Sequence, residues 1–200
     1  MAQKKQDGVP EGMKAVYPGK RGEYPAEIET YKTTPQGLRI LLRPVKLTDE
    51  PLLKEFFDSL SDESLYKRFI SARRDMPHER LEEFIVIDYT QAMVILAVIT
   101  YNGNERVIGV AQYGMDENHL TAEVAIVVLD EYQHHGIGTE LLSYVTYLAR
   151  KQGLLGFTAE VLVDNLTMLK LFEEMGFDIQ KRPSEGVYDM KLMFKEEKKT

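Results

Sequence analysis

The chain reads as a mixed α/β domain, a sheet with helices packed on it. Three observations carry that class. Apolar residues fill short strand-length segments at 92–101, 106–115 and 120–129. Between and after them the spacing becomes helical, most plainly in Ile137, Leu141, Val145 and Leu148. The 200 residues suit one domain with some extra sequence, enough to bury a substantial core.

The elements follow in the order β-β, helices, β-β-β, α, β, α, β-β. Residues 1–23 are polar and rich in Lys, Gly and Pro, and read as a flexible leader ahead of a single domain over 24–196. Strands are predicted at 27–33 and 38–44, turned by Pro35-Gln36-Gly37. Thr48 is placed to cap a helix running to Leu60, with Glu50 near the positive end of its dipole. Ser61 caps a second helix to Ile70, with Ser64 as the third residue after the cap. Pro77 suits the first turn of a third, over 78–87. Asn102-Gly103-Asn104-Glu105 is a hairpin turn between strands 92–101 and 106–115. A strand at 120–129 leads to a helix at 136–151, a strand at 157–163 and a short helix at 166–175. Strands 177–182 and 187–194 flank Pro183-Ser184-Glu185-Gly186 and end the domain. No internal repeat is present.

Composition excludes several classes. The net charge of −7 offers no basic field for nucleic acid. Cysteine is absent, so disulfides, thiolate metal sites and a cysteine nucleophile are excluded. There is no apolar signal core and no run of membrane-spanning length, so a cytoplasmic protein away from membranes is expected.

The most informative stretch is Gln133-His134-His135-Gly136-Ile137-Gly138-Thr139, where a strand ends and a long helix begins. Its glycines allow a tight turn and close approach of a ligand, and the helix start offers unpaired N–H groups. This is a phosphate cradle made of main chain, or else an ordinary strand-to-helix turn. A Walker loop would need Gly-Lys-Ser/Thr, which is missing. A dinucleotide fingerprint would need a third Gly or Ala where Leu141 stands, and the preceding three-strand meander is wrong for it. His134 and His135 point to different sides and have no further ligand set, so no metal is expected.

Several separate pieces carry a family resemblance. Gln133-x-x-Gly136-x-Gly138 resembles the Gln/Arg-x-x-Gly-x-Gly/Ala signature of the GCN5-related N-acetyltransferases, the GNAT family. Asp164-Asn165 followed by Leu171-Phe172-Glu173-Glu174-Met175-Gly176-Phe177 resembles the family's second motif. Leu41-Leu42-Arg43-Pro44, Asp49-Glu50, Phe56-Phe57, Leu60-Ser61 and Ser64-Leu65-Tyr66-Lys67-Arg68-Phe69 are similar to the acetyltransferase domain of bacterial Pat-type protein lysine acetyltransferases. Those enzymes modify lysines on other proteins, notably acyl-CoA synthetases. The resemblance covers about 38–194. It implies a mostly antiparallel sheet with flanking helices, acetyl-CoA as co-substrate, and here a stand-alone version of a domain found fused in larger members.

The resemblance also distributes roles. Backbone donors of His135, Gly136, Gly138 and Thr139 would hold the pyrophosphate, with Gln133, His134 and Ile137 completing the cradle. Val127 and Val128 would bond the pantetheine arm and a developing oxyanion. Asn165 caps the following helix and, by resemblance, contacts the acyl-CoA arm. Phe172 stands where many relatives carry a Tyr thought to protonate the departing sulfur, a task phenylalanine cannot perform; Tyr144 and Tyr147 are the nearby hydroxyls, more in keeping with core packing. Glu123 lies on a strand whose two faces both read as apolar, and an isolated carboxylate there needs a partner or a task. Ala122-Glu123-Val124-Ala125 matches the Pat-type segment that carries the general base, and burial would raise the pKa of that carboxylate. Residues 71–74 and 183–187 would border the acceptor, whereas Tyr66, Lys67, Arg68 and Phe69 read as packing residues.

The expected activity is acetyl transfer from acetyl-CoA to a protein lysine by direct attack in a ternary complex. A small-amine or antibiotic-type acetyltransferase and a non-catalytic acyl-CoA-binding regulatory module remain as alternatives, for a monomer or a homodimer.

Overall fold

The computed structural model of the chain describes residues 22–70, 76–118 and 120–195. Eight strands form one sheet: β1 (Thr30–Thr33), β2 (Arg39–Pro44), β3 (Ala92–Tyr101), β4 (Asn104–Met115), β5 (Thr121–Val128), β6 (Gly156–Leu162), β7 (Asp178–Ser184) and β8 (Val187–Met193). Their spatial order is β1-β2-β3-β4-β5-β6-β8-β7. Every neighbouring pair is antiparallel except β5 with β6. The helices are α1 (Glu50–Asp58), α2 (Asp62–Phe69), α3 (His78–Ile85), α4 (Ile137–Lys151) and α5 (Leu166–Glu174).

The core lies along β3 and β4. Ala92 to Val98 are all buried, so both faces of β3 are covered, which is why this strand reads as an unbroken apolar run. Helices α1 and α4 pack on β4. Gly109 of β4 permits the close approach of α4, because a Cβ there would come within 2.9 Å of Leu141 Cδ1. Phe57 joins the first three helices, with ring centroids 5.2 Å from Phe56, 5.7 Å from Phe69 and 5.1 Å from Phe84.

Several element boundaries differ from the sequence expectation for physical reasons. Thr48 does not cap α1. The chain first makes a 3-10 turn at Leu47–Asp49, which leaves Asp49 at the N-cap. The buried Arg43 draws that carboxylate inward through bonds of 2.6 and 3.0 Å, and Asp49 also accepts from Lys46 N–H at 2.7 Å. Ser61 caps α2 as expected, accepting from Ser64 N–H at 3.2 Å. The hairpin turn between β3 and β4 shrinks to Asn102-Gly103, both at positive φ, so Asn104 and Glu105 already belong to β4. Glu105 thereby reaches Arg43 at 2.8 Å. Pro183 falls in edge strand β7, where its missing N–H costs nothing, and Glu185-Gly186 make the turn.

Of the leader over 1–23, only Gly22 and Glu23 are described; Gly22 N–H already bonds Ile87 O at 3.1 Å. Residues 71–74, expected beside the acceptor, lie outside the described residues. No helix among the described residues is long and apolar enough to cross a membrane.

Candidate active site

The parallel joint between β5 and β6 is short. Thr121, Ala122 and Glu123 pair with Gly156, Phe157 and Thr158, and then the strands diverge. The wedge between them is the floor of a cleft of about 600 Å³, lined by Val124 to Val128, Ala159, Glu160 and Val161. Ser64, Lys67 and Arg68 of α2 form one wall, and Asn165, Leu171 and Phe172 of α5 and its cap form another.

The phase of β5 decides which backbone groups face this wedge. Leu129 N–H bonds Ile108 O at 3.0 Å at one end, and Asp116 N–H bonds Thr121 O at 2.9 Å at the other. Odd-numbered residues of β5 therefore spend their polar groups on β4, and even-numbered ones face β6. Beyond the joint, Ile126 turns its N–H and C=O into the gap and Val128 its N–H, while Val128 O accepts from Gln133 Nε2. Val127 and Val128 both line the cleft, but the N–H and C=O of Val127 belong to the β4 ladder, whereas those of Val128 face away from β4.

The loop after β5 is held from beneath. Asp130 accepts from Ser61 N–H (3.0 Å), Ser61 Oγ (2.6 Å) and Ser64 Oγ (2.8 Å). Partial burial works against its ionisation, but these bonds outweigh it and hold the carboxyl below its ordinary value. Gln133 Nε2 donates to Ser64 Oγ at 3.1 Å and to Val128 O at 3.2 Å. The side chain of Gln133 thus braces the loop. Neither Asp130 nor Ser64 stood out in the sequence as a site residue; Ser and Asp near helix starts are ordinary caps.

Gly136 sits at φ +79°, and a Cβ there would come within 2.8 Å of Pro35 Cδ. Glycine is required twice over. Helix α4 starts at Ile137, and its first intrahelical bond is Glu140 N–H to Gly136 O at 3.0 Å. The N–H groups of Ile137, Gly138 and Thr139 precede it and have no partner in the helix. Ile137 is buried in the core and does not line the cleft, unlike Gly136 and Gly138 on either side of it. At Gly138 a Cβ would meet only Leu171 Cδ2 at an ordinary 3.5 Å, so packing within the protein does not demand this glycine. Thr139 lines the cleft. His134, at φ +62°, lines it too, and His135 turns its Nδ1 to Gln133 O at 2.7 Å instead. No group of His, Asp and Glu among the described residues could hold a metal ion.

Asn165 is buried, accepts from Met168 N–H at 3.3 Å as the cap of α5, and lines the cleft, so the two expected roles coexist geometrically. Phe172 is buried with its ring on the cleft wall. Tyr144 donates to Ile28 O, and Tyr147 is half exposed on α4; neither lines the cleft. The final hairpin at 183–187 does not line it either.

Glu123 departs from its sequence expectation. The face of β5 that carries it is open at this end and its side chain is exposed; Glu123 does not itself line the cleft, whereas its neighbour Val124 and Glu160 of β6 do. Only Val127 and Leu129 of that face are covered. Its pKa is nonetheless raised: crowding by surrounding protein is the chief cause, repulsion from Glu160 adds to it, and attraction to Arg68 opposes it. A carboxylate that water can reach and that holds its proton more tightly than usual is a better proton acceptor than an ordinary surface carboxylate.

A helix N-terminus at the end of the cleft and a strand edge opened by divergence suit an extended phosphorylated ligand. Residues 54–177 match the Acetyltransferase (GNAT) family, and the chain belongs to that family. It is an acetyl-CoA-dependent N-acetyltransferase, with coenzyme A chemistry that fits the cradle and gap described above. Its likeness is to the Pat type. It is 35% identical over 137 residues to Acetyltransferase Pat of Mycolicibacterium smegmatis, spanning 68% of this chain and 40% of that one. The GNAT domain of S. lividans PAT matches with a TM-score of 0.78 and 28% identity, over 86% of this chain and 100% of that domain. Acetyltransferase PA5475 of Pseudomonas aeruginosa is 26% identical over 150 residues, 75% of this chain and 81% of that protein.

Proposed function

We propose that the chain acetylates the Nε of a lysine on a protein, with acyl-CoA synthetases as the first acceptors to test, by direct attack in a ternary complex. The observation that carries this reading is the exposed Glu123 carboxylate on β5, next in sequence to cleft-lining Val124 and repelled by Glu160, which itself lines the cleft. Two carboxylates at an accessible mouth favour a cationic amine, and an open mouth admits a side chain borne on a folded protein.

Acetyl-CoA supplies an acetyl group activated as a thioester. The N–H groups of Ile137, Gly138 and Thr139, backed by the α4 dipole, would hold its pyrophosphate. Ile126 and Val128 would bond the amides of its arm as a missing strand would, which orients the acetyl end beside Glu123. A lysine ammonium has an ordinary pKa of about 10.4, so it must lose a proton before it can attack. Glu123 accepts that proton, directly or through one water. Phe172 excludes water beside the thiol end and cannot protonate it; a thiol of ordinary pKa about 8.5 leaves without an acid.

The test is incubation of the protein with labelled acetyl-CoA and a purified acyl-CoA synthetase, followed by mass spectrometry of the acceptor. Label on one lysine, lost with Glu123→Gln, is the expected result. Turnover with free polyamines or aminoglycosides but no protein lysine would move the assignment to a small-amine enzyme. Tight acetyl-CoA binding by calorimetry with no transfer to any acceptor would leave only a binding module.

A further inference from the structure

The turn between β1 and β2 reaches the start of α4 from far away in the chain. Gln36 Nε2 donates to His134 O, 98 residues on, at a long 3.5 Å, and Gln36 lines the cleft together with His134 and Gly136. Pro35 stands against Gly136: a Cβ there would come within 2.8 Å of Pro35 Cδ and 3.6 Å of Gln36 Oε1. The turn is held by its own bonds. Thr34 is buried, its N–H bonds Leu38 O at 2.9 Å, and its O and Oγ1 accept from Gly37 N–H (2.8 Å) and Leu38 N–H (3.2 Å). Gln36 itself is exposed. A fixed turn thus delivers a free-ended amide to the cleft with little backbone ordering still to lose.

The fold gains little from the bond that this amide makes. It is at the limit of hydrogen-bond length, and His134 is exposed, so water can serve its carbonyl equally well. A carboxamide nitrogen carries two donors, and Gln36 Nε2 has this one partner among the described residues. The start of α4 is meanwhile short of side-chain donors. Gly136, its N-cap, has no side chain, and His135 turns its Nδ1 back to Gln133 O at 2.7 Å. A diphosphate offers acceptor oxygens on both phosphates, and a bond to a charged oxygen is stronger than one between neutral groups.

We propose that Gln36 is a binding residue for the diphosphate of the co-substrate: its carboxamide leaves His134 O and donates Nε2–H to a phosphate oxygen held at the start of α4. The proposal rests on the reading that this helix start holds the diphosphate. It makes the β1–β2 turn part of the co-substrate site, and it ties that turn to α4 when the ligand is bound.

The experiment compares coenzyme A with pantetheine, which lacks the diphosphate, by calorimetry and by nitrogen-15 NMR on the full chain. Gln36→Ala should weaken coenzyme A about three- to tenfold and leave pantetheine within about 1.5-fold, with the melting temperature of the free protein unchanged. The side-chain amide signals of Gln36, identified by their loss in that variant, should move on addition of coenzyme A and stay in place with pantetheine. Amide signals that coenzyme A does not move overturn the proposal. So does a loss of affinity shared equally by the two ligands, because the turn would then only brace the cleft. The ratio of the two affinities separates the proposal from the reading beneath it. If wild type holds pantetheine as tightly as coenzyme A, the diphosphate assignment of the α4 start fails, and the part given to Gln36 with it. If coenzyme A is favoured by the same factor in wild type and in Gln36→Ala, only the part given to Gln36 is refuted.

Discussion

The two ends of the cleft are built in opposite ways. The proposed anion cradle is contiguous in sequence and made of main chain: Gly136 at positive φ, then the first turn of α4, where Gly138 and Thr139 line the cleft. The proposed acceptor end is assembled from side chains on separate elements, with Glu160 of β6 and Arg68 of α2 lining the cleft and Glu123 of β5 beside them in the charge pattern. Backbone donors have fixed geometry and no pKa to adjust, so they suit a ligand that is always the same. Side chains from different elements set charge and shape independently, so they suit proton transfer and a variable acceptor. Asp130 links the two ends, because it fastens the start of α2 to the turn that leads into the cradle.

Substitution of Glu123 by Gln should separate the ends most sharply. Turnover is expected to fall about 10²- to 10⁴-fold, the range of a lost general base. Acetyl-CoA affinity by calorimetry should stay within about twofold, since the cradle is untouched. The wild-type rate should also rise with pH through a midpoint above the ordinary carboxylate range. The sign follows from the shift: the base works only when ionised, and crowding and Glu160 raise the pH at which that happens. This limb should vanish in the variant. Equal losses of turnover and affinity would erase the distinction between the ends.

The converse change is Gly136→Val, which places a β-branched residue at φ +79° against Pro35. Acetyl-CoA binding should weaken about tenfold or more, with strain of about 1–3 kcal/mol, while the Glu123 titration stays put. Asp130→Ala comes next. Loss of its bonds to Ser61 and Ser64 should lower stability by about 1–2 kcal/mol and raise the KM for acetyl-CoA several-fold, read by thermal melts and initial rates. Because Asp130 is held below its ordinary pKa, its contribution is present above the unfolded-state value and is lost as pH falls through the folded one. The smallest effect is expected for Phe172→Tyr, within about threefold of wild-type kcat; a gain of about 100-fold would show that departure of the thiolate wants an acid.

These two ends also differed in legibility. The cradle could be read because its glycines and helix start are neighbours, and Ser61 and Asn165 could be read as caps for the same reason. Arg68 could not. In Ser64-Leu65-Tyr66-Lys67-Arg68-Phe69 it resembles a surface residue at a helix end, and only the docking of α2 beside β5 turns it to the cleft. That the backbone of Val127 turns to β4 could not be read either, because the phase of β5 is set by its bonds to β4, at Leu129 and Thr121. Thr48 lost its cap to Asp49 because the buried Arg43, distant in the local pattern, claims that carboxylate. Glu123 was expected under cover because alternation counts apolar residues but does not register where a neighbouring strand departs. The eight-stranded order itself was readable as elements and not as pairings, since nothing in 187–193 marks that β8 inserts between β6 and β7.

The divergence of β5 from β6 leaves one strand with two chemically unlike sides. In the free protein, amide hydrogens of Val127 and Leu129 are locked into the ladder, and those of Ile126 and Val128 look onto water. Deuterium exchange along β5 should therefore alternate, slow at odd positions and fast at even ones. Saturation with coenzyme A should flatten that alternation, as the pantetheine amides take the place of the absent neighbour.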